Sequence, residues 1–91
     1  MTSTAELEPH EHVVFTEFDE GEGILVDLNT KKYFQLNETA VIVWRGLEKK
    51  QPLDEIVSEI VETYDISNAH ATESVQKLLE NLRAFKLLRP R

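Results

Sequence analysis

The stretch from Gly23 to Leu47 constrains the fold of this chain more than any other. Ile24, Val26 and Leu28 alternate with Leu25 and Asp27, Asn29-Thr30-Lys31 form a polar break, and Lys32-Tyr33-Phe34-Gln35-Leu36 make a second short apolar-rich run. A period of two on both sides of a polar break fits two antiparallel strands joined by a turn. Asn37 is a strong N-cap type, and Glu38 puts negative charge in a first helical turn. Ala40, Val41, Val43, Trp44 and Leu47 then recur at helical spacing,. The unit is a hairpin that runs directly into a capped helix.

The flanks extend this pattern. Val13, Val14, Phe15 and Phe18 suit a strand within His12 to Phe18, and Asp19 to Gly23 a turn with glycines available for positive φ,. Residues 1–11 are polar, acidic and broken by Pro9, which predicts a mobile arm ahead of a single domain over 12–91,. Pro52 opens a second helix with Leu53, Ile56, Val57, Ile60, Val61 and Tyr64 on its buried stripe,. Ser67 caps a third, in which Ala71, Val75, Leu78, Leu82 and Phe85 share a stripe that Leu79 widens, and Leu87-Leu88 before Pro90 form an extended tail,. A three-stranded antiparallel sheet followed by three helices is an α+β fold with the helices on one face.

Composition narrows the function. The absence of cysteine removes thiolate nucleophiles, disulfides and cysteine-ligated metals,. Residues 1–23 hold seven carboxylates and no lysine or arginine, whereas the remainder has ten acidic and ten basic groups. An acidic N-terminal segment repels phosphate backbones, so nucleic acid is a poor partner. No apolar run spans a bilayer and the N-terminus lacks the pattern of a signal peptide, so a cytoplasmic location without membrane attachment is expected. His10 and His12 flank Glu11, but a mobile arm has no rigid surroundings to hold a metal's ligands. Asp27 beside a turn reads as a local hydrogen-bond acceptor. With no nucleophile–base pair, paired carboxylates or phosphate-cradling loop, the chain is expected to have no catalytic residue, metal or cofactor.

What remains is an edge. In a meander the strand at 32–36 pairs with the strand before it and keeps its other side open, a row of unused backbone donors and acceptors. Phe34 and Leu36 point to the core with Trp44, and Tyr33 and Gln35 to the opposite face. Lys31 and Lys32 at this edge suit either an acidic partner or protection against edge-to-edge aggregation.

Taken in order, Val26-Asp27, the polar turn from Asn29 to Lys32, Tyr33-Phe34, Leu36-Asn37, Val43-Trp44 and Leu47 resemble the PqqD-like family, peptide-recognition proteins named after protein D of pyrroloquinoline-quinone synthesis. Leu53 to Val57 and Val75 to Leu88 are similar to that family's second and third helices. Where the family often has glycine this chain has Ala40, also small. The resemblance implies a winged helix-turn-helix-like domain that binds the leader segment of a ribosomally made precursor peptide by β-strand addition. It would deliver that peptide to a modifying enzyme, a radical S-adenosylmethionine (radical SAM) protein or a leader peptidase. It puts the peptide against Lys32, Tyr33, Phe34, Gln35 and Leu36 and against Ser74, Lys77, Leu78 and Asn81 of the third helix. Two alternatives stay open. A winged-helix DNA-binding regulator is opposed by Glu73 and Glu80 beside Lys77 and Arg83,. A structural or dimerisation subunit would pair the free edge with its own copy as a homodimer.

Overall fold

The computed structural model describes residues 7–18 and 21–90. The chain forms β1 (Leu7–Pro9), β2 (Val13–Glu17), β3 (Gly23–Asp27), β4 (Lys32–Leu36), α1 (Glu38–Glu48), α2 (Leu53–Tyr64), α3 (Asn68–Ala84) and β5 (Leu88–Pro90). Strands β2, β3 and β4 make the expected antiparallel meander, and three helices follow. Its register pairs Phe15 with Leu25 and Leu25 with Phe34, so Val13, Phe15, Leu25, Phe34 and Leu36 pack with the core. Gly23 is needed where the Phe15 ring crosses β3: a Cβ there would lie 2.5 Å from the ring.

The β3–β4 turn is built around Asp27. Its carboxylate accepts from the backbone N–H of Asn29 at 2.9 Å and of Thr30 at 3.2 Å, while its carbonyl accepts from Lys31 N at 2.8 Å. Lys31 takes a left-handed conformation, φ 65°. Burial pushes the Asp27 carboxyl up, but the hydrogen bonds from Thr30 and Asn29 and the His12 imidazole, 3.7 Å away, outweigh it and hold it below its ordinary value,.

The helix boundaries follow their caps. Asn37 Oδ1 accepts from Ala40 N at 2.8 Å to start α1, and Ser67 Oγ from His70 N at 3.1 Å to start α3,. At the end of α1, Gln51 N reaches Gly46 O and Lys50 N reaches Leu47 O. At the end of α3, Leu87 N reaches Leu82 O and Lys86 N reaches Arg83 O. Both are Schellman closures, with a lysine in the left-handed position usually given to glycine,. Helix α2 closes with Asp65 left-handed. Gly46 lets α1 and α2 approach closely, because a Cβ there would come within 2.6 Å of Ile56. Trp44, Leu25, Leu47, Ile56, Ile60, Leu87, Val43 and Val75 are fully buried at the centre. Trp44 is thus a core residue, and its indole N–H has no partner among the described residues.

Two expectations are corrected. The arm through Glu11 is not free along its described part: Leu7–Pro9 pairs antiparallel with Leu88–Pro90, and Leu7 is only 6% exposed, packed with α1 in the core. Arg89 Nε meets Glu8 Oε1 at 3.0 Å, and His10 N donates to Leu87 O at 3.0 Å. Burial of Leu7 and a charge pair across the ribbon hold a segment whose local composition would leave it loose. The rest of the expected arm, residues 1–6, lies outside the described residues. Phe85 leaves the buried stripe, because α3 ends at Ala84; it is 55% exposed.

Candidate functional site

Among the described residues the order β2-β3-β4 leaves β4 with one unpaired edge. Which of its backbone groups face outward follows from the ladder. Leu28 N donates to His12 O and Lys31 N to Asp27 O, so Leu28, Val26 and Ile24 exchange hydrogen bonds with β2, and Asp27, Leu25 and Gly23 with β4. The β4 partners of that second set are Lys32, Phe34 and Leu36. The N–H and C=O groups of Tyr33 and Gln35 therefore point away from the sheet, ready for another strand.

Beside this edge runs an open groove of about 600 Å³ between β4, the start of α1 and α3. Leu36, Ala40 and Leu78 give it an apolar floor, and Gln35, Asn37, Thr39, Ser74 and Glu22 its polar wall. Ser74 and Leu78 reach it together because residues four apart share a helix face. Leu79, next along, turns inward and is buried.

The nine residues expected from sequence divide. Gln35, Leu36, Ser74 and Leu78 line the groove. Phe34 is half-buried and outside the groove lining, its ring 4.9 Å from that of Phe85. Lys32 and Tyr33 are exposed on the edge strand, Tyr33 at 72%. Lys77 does not line the groove: it borders a small hollow of about 150 Å³ with His70, Glu73 and Ser74, and its Nζ lies 3.4 Å from Glu73 Oε1. Asn81 is exposed one turn beyond Leu78 and also lies outside the lining.

Sequence reasoning missed Glu22, Asn37, Thr39 and Ala40 as lining residues. Asn37 and Ala40 were legible only as a cap and a small packing residue. Thr39 and Glu22 carry no local signal, since their place depends on how β3 meets the start of α1.

A second hollow, about 220 Å³, lies toward β2 and α2. Four of its polar side chains are already engaged: Arg45 pairs with Glu17, and Tyr64 Oη donates to Glu38 Oε2 at 3.2 Å. Burial raises the Tyr64 phenol's pKa, and the Glu38 carboxylate beside it raises it further. Among the described residues no group of three or more histidines and carboxylates is placed to hold a metal ion. No described helix is long and apolar enough to cross a membrane.

Two solved structures share this architecture. TbiB1, in complex with the TbiA(β) leader peptide, superposes with a TM-score of 0.83 at 27% identity, covering 90% of this chain and 94% of that one. A lasso peptide synthetase B1, complexed with the leader peptide, gives a TM-score of 0.84 over 93% of this chain and 99% of that one; at 20% identity it speaks for the fold. No curated protein matches the sequence significantly. The motif order seen in the sequence, the meander feeding α1 and the groove beside β4 converge with a match to the family described as coenzyme PQQ synthesis protein D, which spans residues 22–88, and the chain belongs to this PqqD family.

Proposed function

We propose that this protein is a non-enzymatic recognition module that binds the leader segment of a ribosomally made precursor peptide as a fourth strand on β4. The observation that carries the reading is the pairing of an open backbone edge at Tyr33 and Gln35 with a groove deep enough for alternate side chains. In strand addition, main-chain hydrogen bonds supply affinity and pockets for every second side chain supply specificity. The complex of TbiB1 with the TbiA(β) leader peptide supports it. The partner that receives the peptide is a modifying enzyme, a radical SAM protein or a leader peptidase. A homodimer would use the same edge and compete with the peptide. On the exposed face of α3, Lys77 is tied to Glu73, which counts against a phosphate-binding surface,.

The test is titration of a labelled leader peptide from the same biosynthetic locus, followed through backbone amide NMR. Shifts should concentrate at Lys32–Leu36 and along Ser74 to Asn81. Binding that leaves both segments unshifted would defeat this reading. Gel filtration across concentration, with and without peptide, separates the dimer from the complex.

A further inference from the structure

The groove carries one charge that strand addition by itself leaves without a role. Among the described residues Glu22 is its only ionisable lining residue, and none of the ion pairs among them uses it. Two cations of the flanking helices are paired elsewhere, Arg45 with Glu17 and Lys77 with Glu73, and neither lines the groove. The N-terminus of α1 also opens here, but its positive end is already answered: Ala40 N is capped by Asn37 Oδ1, and Glu38 sits in the first turn,. The local field thus favours a cation.

Shape points the same way. Leu36, Ala40 and Leu78 form an apolar floor below a polar rim, a combination that suits a side chain with an alkyl stem and a charged head. Resting on the peptide-binding reading above, we propose that the groove selects a lysine or arginine on the added strand, its stem over Leu36 and Leu78 and its cation at the Glu22 carboxylate. Side chains on one face of a strand recur every second residue. A neighbour two positions from the cation would therefore lie opposite Phe34, against the Phe34–Phe85 ring pair. The ligand signature is a basic residue and a large apolar or aromatic one, two apart.

The probe is a fluorescein-labelled positional-scanning library of acetylated dodecapeptide amides, read by polarisation against the full chain, Glu22→Gln and Glu22→Lys. Glu22 is exposed, so both variants should melt like the parent. Pools fixed as lysine or arginine at one position should bind the parent about tenfold more tightly than pools fixed there as aspartate or glutamate, the scale of one charge-assisted hydrogen bond. Glu22→Gln should flatten that preference and Glu22→Lys should reverse it. If pools bind with amide shifts at β4 and α3 but show no basic preference, or keep one unchanged in Glu22→Lys, this inference falls and peptide binding stands. If no pool shifts β4 or α3, both fall.

Discussion

Among the described residues the meander has two outer strands, β2 and β4, each with one side unpaired, and the proposed peptide site lies at β4, which has a groove beside it. At β2 part of the edge is taken: Val13 N donates to His10 O, and the Glu17 side chain is tied to Arg45 of α1. At β4 the outward groups of Tyr33 and Gln35 are open, and α3 stands off far enough to leave the groove. An open edge is an aggregation liability in most proteins. What makes it a recognition site is a second wall with room for side chains, so that the added strand is selected by sequence and not by backbone alone.

The sharpest way to break this comparison is proline at matched positions. Gln35 N–H faces outward, so Gln35→Pro leaves the β3–β4 ladder intact while removing a donor and putting a ring in the path of the incoming strand,. Leader binding should weaken on the order of 100-fold, from the lost hydrogen bond and the clash together. Glu17→Pro makes the same change on β2 and should alter binding less than about threefold, the scale of a lost exposed ion pair. A folded Gln35→Pro protein with parental affinity would refute the edge assignment.

The second wall is tested next. Leu78→Asp sets a carboxylate on the groove floor and should weaken binding about tenfold or more, whereas Lys77→Ala, outside the lining, should change it less than about twofold,. Equal effects would mean that α3 is rotated relative to the groove. Leu7→Ala addresses the opposite end of the molecule. It should lower unfolding stability by about 2 kcal/mol through a lost buried side chain, measured by urea denaturation, and leave peptide affinity unchanged.

Elements fixed by near neighbours in the chain were legible in the sequence. The hairpin, the caps at Asn37 and Ser67 and the buried Trp44 each rest on residues within a turn or two of one another. The β1–β5 ribbon was not, because Glu8 finds its partner at Arg89, across the whole chain, and no local pattern encodes that pairing. The groove falls between. Gln35, Leu36, Ser74 and Leu78 are among the positions the family resemblance implies, but the resemblance does not say where α3 of this chain stops facing β4, and Lys77 and Asn81, which it also implies, lie outside the lining. Glu22 was out of reach for the same reason as the ribbon: its position depends on how separate elements dock.

The smallest expected effect concerns what sets the edge in register. Asp27 folds the turn ahead of β4, and that turn fixes which backbone groups face outward. Because its carboxyl is held below the ordinary value of about 3.9,, its contribution to stability is fully present above that pH and is lost as pH falls through the folded-state value. In Asp27→Asn the amide oxygen can still accept from Asn29 and Thr30, so peptide affinity at neutral pH should move less than about twofold, the turn being retained. The variant should be less stable than the parent at pH 7, and chemical denaturation from pH 6 to pH 2.5 should show the two converging as the parent's carboxylate is protonated. A gap that stays constant across this range would mean that the charge contributes nothing and that hydrogen-bond geometry alone holds the turn. The register of β4 would then be a property of the backbone and the Lys31 conformation, independent of acid.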